Sequence, residues 1–122
     1  MGLCVDIGHT VRIGKDPIEE TFNYMDRVHD IHIKDVDIAD SSGTPLEIGR
    51  GVIDIPGFLK MLLEANYSKV VSFEYEKDGK DPLAGLAASV GYVRGVLQMH
   101  TYLDSFSRIC RRLSQNAPMI IS

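Results

Sequence analysis

The sequence predicts an α/β fold built from three consecutive strand–helix units with parallel strands. Three observations carry that prediction. Residues 3–7, 30–34 and 69–76 read as strands, because apolar and polar residues alternate along each. Each run is followed by a segment whose apolar residues recur at helical spacing, opened by Asp16-Pro17, by Asp54 with Pro56, or by Asp81-Pro82. Each run also delivers an ionisable group near its C-terminal end, Asp6, His32 or Glu74. Strand–helix alternation of this kind demands a parallel sheet with right-handed crossovers.

The elements follow in order. The first strand starts almost at once after Met1, and a loop follows it. In the first helix Asp16 accepts from free N–H groups and Pro17 fits the opening turn. Glu19 and Glu20 complement the positive end of the dipole. Ile18, Phe22 and Met25 give that helix a buried face. After the second strand comes a run of turn formers, Asp40-Ser41-Ser42-Gly43-Thr44-Pro45, then Ile48-Gly49-Arg50-Gly51. The two glycines there permit a tight turn, and Arg50 alone does not define a phosphate cradle. The second helix carries Phe58, Leu59, Leu62 and Leu63 as its stripe, with Asn66 as a left-handed C-terminal cap. The third carries Leu83, Leu86, Val90, Val93 and Leu97. Past about residue 98 a second amphipathic segment holds Tyr102, Phe106, Ile109 and Leu113, and residues 114–122 read as a loose tail. The expected organisation is therefore a domain over residues 1–98 and a helical extension with its tail over 99–122.

Composition excludes several classes. The 44% hydrophobic and 25% charged residues are those of an ordinary globular protein. A net charge of −4 argues against a nucleic-acid surface, which needs a concentrated basic patch, and Arg108-Ile109-Cys110-Arg111-Arg112 reads as a solvated helix end. No apolar stretch reaches the length of a membrane span, and no basic start with an apolar run marks a signal peptide. Cys4, in a buried-looking strand, and Cys110, in a distant helix, form neither a disulfide framework nor a CxxC pair. A reduced, cytoplasmic setting is expected.

The alternation also assigns faces. Leu3, Val5 and Ile7, then Ile31 and Ile33, then Val71, Phe73 and Tyr75 would pack under the helices, leaving Asp6, His32 and Glu74 on the other face. In an open doubly wound sheet that second face would be apolar as well. Polar groups at the strands' C-terminal ends point instead to the interior mouth of a (β/α)8 TIM barrel, truncated here because a whole one takes about 200 residues or more. Three strands leave two sheet edges open, so a homo-oligomer or a complementing half-barrel is expected.

Two carboxylates and an imidazole suit a divalent metal such as Mn, Co, Zn or Mg. A carboxylate within an apolar run, as at Glu74, is costly to bury without a cation. Taken singly, Asp6 could cap the following loop and His9 could hydrogen-bond the loop backbone. Lys34 could neutralise the carboxylates, contact a substrate phosphate, or stand solvated on the rim. Asp35 could orient His32 or the loop after it. Glu76 lies at the strand exit, where it would be solvated. His29 and His100 are assigned no function, and Tyr24, Tyr67, Tyr92 and Tyr102 read as packing residues.

At Asp6-Ile7-Gly8-His9, His32-Ile33-Lys34-Asp35, Ile48-Gly49-Arg50-Gly51-Val52-Ile53-Asp54 and Ser72-Phe73-Glu74-Tyr75-Glu76 the chain resembles the xylose isomerase-like TIM-barrel superfamily, the sugar phosphate isomerase/epimerase group. The likeness runs over about residues 2–97 and matches the C-terminal part of those barrels. It implies that Asp6, His32 and Glu74 ligate one divalent metal, and that His9 reaches substrate oxygen or a second metal. A further glutamate of the family, from an earlier strand, would lie upstream of Met1. The implied chemistry is proton transfer next to a carbonyl of a sugar or sugar phosphate, with Glu74 moving the carbon-bound proton. Two other readings stand beside it: a non-catalytic remnant or interaction module of the same fold, and a metal-dependent phosphodiester hydrolase of the endonuclease branch.

Overall fold

The computed structural model describes residues 1–116. Strand β1 (Leu3–Asp6) runs into a short helix α1 (Ile7–Arg12), then α2 (Pro17–Asn23) and a 3-10 turn at Met25–Arg27 lead to β2 (Val28–Ile33). A small antiparallel pair follows, β3 (Asp35–Val36) with β4 (Pro45–Leu46), then α3 (Ile55–Glu64), β5 (Val70–Phe73) and the long α4 (Leu83–Asn116). The three-stranded sheet has the order β1-β2-β5, parallel throughout.

The register fixes what each face carries. Val5, Ile31 and Val71 stand in one row, and Asp6, His32 and Ser72 in the next. Rows alternate faces, so apolar rows turn to the helices and polar rows turn away. The core forms on the helix side from Ile7, Ile31, Ile33, Ile55, Phe58, Leu59, Leu62 and Val93, with Val5, Val71 and Phe73 packed against it. Cys4, expected to be buried, belongs to a polar row with Asp30 and is exposed.

Several boundaries differ from the sequence reading. The segment after β1 is helical rather than a loop, because the Asp6 carboxylate accepts from the N–H of His9 at 2.8 Å and caps α1. Ile7 is buried as foreseen, in the first turn of that helix. In α2 the inward residues are Pro17 and Thr21, four apart, which places Phe22 about 100° round the helix and 60% exposed. β5 stops at Phe73 because its partner β2 ends at Ile33; one more bond, Glu74 N–H to the Ile33 carbonyl at 3.0 Å, extends the pairing.

The caps hold. Asp16 accepts from Ile18 N–H, Asp54 from Gly57 N–H and Asp81 from Leu83 N–H. Asn66 has φ 52, the left-handed conformation expected after α3. In α4 the buried line is Gly85, Ser89 and Val93, while Leu83 is 72% exposed. The Ser89 hydroxyl donates to the Gly85 carbonyl and accepts from Ile48 N–H at 3.0 Å, tying α4 to the 48–51 turn. α4 runs unbroken through residue 98, so the second amphipathic segment is a continuation of the same helix. Residues 114–116, read as tail, are helical, and 117–122 lie outside the described residues.

Candidate metal centre

Three neighbouring strands bring Asp6, His32 and Glu74 together at their C-terminal ends. Asp6 and His32 are register partners, and Glu74 follows Phe73, the partner of Ile33, at the end of β5. One ligand atom from each of the three lies within 4.8 Å of the others. His32 Nδ1 is 2.7 Å from Glu74 Oε2. Asp6 is 16% exposed and Glu74 28%, which leaves both reachable from solvent.

Lys34 lies at the heart of the cluster. It is 2% exposed, and its ammonium is 3.4 Å from Asp6 Oδ2, 3.2 Å from Glu74 Oε1 and 2.6 Å from Glu76 Oε2. Of its three expected places the solvated rim is wrong. A stem passing under α1 carries the ammonium inward, and Gly8 makes the room: a Cβ there would stand 2.4 Å from Lys34 Cδ. Burial alone would lower the Lys34 pKa, but the Glu76 hydrogen bond and the charges of Asp6 and Glu74 raise it above its ordinary value. Burial likewise opposes ionisation of Asp6, yet the His9 N–H and the Lys34 charge leave its pKa lowered. Glu76 is lowered by the hydrogen bond from Lys34.

His9 sits on α1 with its ring 58% exposed, Nε2 3.7 Å from Asp6 Oδ2. It therefore stands on the rim of the cluster with a free edge toward solvent. Its backbone N–H caps against Asp6, so the capping and site readings of that aspartate coexist: Oδ1 holds the helix and Oδ2 faces the cluster.

Asp35 turns out to hold the loop and not His32. It is fully buried, and its Oδ2 accepts from the N–H groups of Gly49 and Gly51, each at 2.9 Å. Its Oδ1 accepts from Val36 at 3.0 Å and Ile53 at 3.2 Å. The glycines serve this nest: Gly49 has φ +92, and a Cβ on Gly51 would fall 2.1 Å from Asp35 Oδ1. The residue beside the His32 ring is Asp30, with Oδ2 3.6 Å from Nε2, itself held by Ser72 Oγ at 3.3 Å. Sequence reasoning missed Asp30 and Ser72, although the period of two places Asp30 on the same face as His32, and Ser72 beside it.

The model of the family described as xylose isomerase-like TIM barrel matches residues 1–96. The chain belongs to that family. Among solved structures, a xylose isomerase domain protein from Planctomyces limnophilus is 25% identical, with a TM-score of 0.68 over 78% of this chain and 37% of that one. A D-tagatose 3-epimerase-like protein is 24% identical with a TM-score of 0.66, covering 80% of this chain and 35% of the other. An IolI protein with a bound zinc atom is 23% identical with a TM-score of 0.63, covering 80% and 38%. The last two show the fold alone. The chain thus spans little more than a third of the length of these structures, and its three βα units form part of a xylose isomerase-like TIM barrel. No curated protein matches the sequence. Among the described residues no helix is long and apolar enough to cross a membrane.

Proposed function

We propose that this chain carries the metal-binding end of a sugar or sugar-phosphate isomerase/epimerase that moves a proton next to a carbonyl. The observation that carries the proposal is the convergence of Asp6, His32 and Glu74, one donor atom of each within 4.8 Å of the others, on three adjacent parallel strands. Two carboxylates and an imidazole fit a divalent cation of the Mn, Co, Zn or Mg type, and Lys34 among them supports a pocket that favours positive charge. Bound there, the cation would supply Lewis-acid polarisation of adjacent substrate oxygens.

The residues would divide the remaining work. Glu74, open to solvent on one side, takes or returns the carbon-bound proton. His9, with a free ring edge on the rim, donates a hydrogen bond to the oxygen that gains charge. Lys34 has its ammonium engaged by three carboxylates, which supports a neutralising role over direct contact with a substrate phosphate. Because the chain spans 35–38% of the structures it resembles, turnover is assigned to a barrel completed by further strands, whether from a longer chain, a complementing half-barrel or a second copy.

Calorimetry with Mn²⁺ tests the site. Weak binding is expected, abolished by Asp6→Asn, which keeps the helix cap, or by Glu74→Gln, which keeps a partner for His32. Binding that survives both substitutions places the ion elsewhere and removes the basis of the proposal.

A further inference from the structure

His32 presents its two ring nitrogens to two different donor sets. Nδ1 faces Glu74 and the cluster described above; Nε2 faces the opposite way along the strand, toward Asp30. Cys4 is the register partner of Asp30 on the adjoining strand, and both lie on the polar face. One ligand atom each from Cys4, Asp30 and His32 lies within 4.8 Å of the other two. The Cys4 thiol is free and exposed, and Ser72 Oγ steadies the Asp30 carboxylate at 3.3 Å.

We infer that Cys4, Asp30 and His32 form a second divalent-cation site, distinct in chemistry from the first, that takes a thiolate-seeking ion such as Zn²⁺ or Co²⁺. Sulfur, oxygen and nitrogen donors together select such ions over Mg²⁺ and Mn²⁺, which favour all-oxygen or oxygen-rich sets. Ligand atoms round a tetrahedral zinc stand about 3.5 Å apart, so the set closes on an ion by side-chain movements of about 1 Å, leaving the fourth position to water. A free cysteine is a protonated thiol at neutral pH. Ligation releases that proton to solvent while the sulfur lone pair goes to the ion, with no change of oxidation state. A neutral imidazole has one nitrogen lone pair to give, so His32 serves one set at a time. Occupancy of the thiolate site therefore withdraws His32 from the Asp6–Glu74 site.

This inference does not rest on the isomerase reading. The test is Co²⁺ titration of the full chain, read by the near-ultraviolet thiolate-to-cobalt charge-transfer band. The band is expected in the unaltered protein, in Cys110→Ser and in Glu74→Gln, and is expected to vanish in Cys4→Ser. Asp30→Asn should raise the half-saturating Co²⁺ concentration about tenfold or more, the least that loss of even an outer partner costs. Should Cys4→Ser not fold, Zn²⁺ protection of Cys4 from alkylation in the unaltered protein, located by mass spectrometry, gives the same answer. No band in the unaltered protein, a band that persists in Cys4→Ser, an unshifted Asp30→Asn titration, or alkylation indifferent to Zn²⁺ overturns the inference. Glu74→Gln separates the two sites: it should lose Mn²⁺ binding and keep the cobalt band.

Discussion

Asp35→Asn separates a structural role from a site role more cleanly than any other single substitution. The buried carboxylate receives four backbone N–H groups, two on each oxygen, all between 2.9 and 3.2 Å. In asparagine one oxygen keeps its pair, while the amide NH2 faces the other pair donor to donor. Two buried N–H groups are then left unpaired at about 1–3 kcal/mol each, and the two remaining bonds lose their charge assistance. The loss is roughly 3–5 kcal/mol, a large fraction of the 5–15 kcal/mol typical of a whole domain. With a urea m-value of about 1–2 kcal/mol/M, the unfolding midpoint should fall by roughly 2–3 M. Molecules that remain folded should bind Mn²⁺ as before, because no hydrogen bond links Asp35 to His32. A midpoint shift below about 0.3 M would refute the nest argument. Unchanged stability with lost metal affinity would return Asp35 to the service of His32.

Other outcomes are equally concrete. Gly8→Ala places a Cβ 2.4 Å from Lys34 Cδ and should cost about 1–3 kcal/mol in thermal unfolding, since the ammonium is pinned by three carboxylates and the stem cannot simply swing aside. Asp37 is lowered by hydrogen bonds from the Thr44 backbone and hydroxyl, and Asp40 by those from Ser42. A carboxyl lowered on folding stabilises above its unfolded value, here 3.8, and that contribution is lost as pH falls through the folded value. Hydrogen exchange at the Thr44 amide should therefore quicken, beyond its intrinsic pH dependence, only below about pH 4, and protection unchanged down to pH 2 would sink the idea. On α4, Tyr102, Phe106, Ile109 and Leu113 are each 54–64% exposed along one stripe. Light scattering at micromolar concentration should show self-association that Phe106→Glu weakens; a stable monomer would show that this face and the sheet edges need no partner.

What the sequence disclosed follows from the strength of each local signal. The three strands and their faces were legible because a period of two, once anchored by Ile31 and Ile33, leaves no freedom in where His32 points. The caps at Asp16, Asp54 and Asp81 were legible because their hydrogen bonds are to neighbours in sequence. Helix α1 was not, since one capping carboxylate and six residues leave too little periodicity to read. Phe22 went astray because Pro17 and Thr21 set the inward line of α2, and a threonine buried in that line carries no hydrophobic signal. Lys34 was unreadable in kind: a lysine between two strand residues signals solvent unless one knows that three carboxylates, two of them some 40 residues away, close over it.

Those carboxylates also bear on the proposed binding of a divalent ion. Asp6, Glu74 and Glu76 place three carboxylates round the one Lys34 ammonium. Lys34 thereby lowers the mutual repulsion among the carboxylates gathered where a cation would bind. The same ammonium would oppose that cation, by about 4 kcal/mol for two unit charges 4 Å apart at an effective dielectric of 20. Glu76 relieves the conflict. It is the shortest of the three contacts at 2.6 Å, against 3.2 Å to Glu74 and 3.4 Å to Asp6, and it lies on the solvent side, half exposed. The ammonium is thus already drawn toward the one carboxylate that the metal would not use, and Asp6 and Glu74 are left the freer pair. Glu76, which the sequence placed only at the strand exit, is the group that would let a buried lysine and a divalent cation share one set of strand ends.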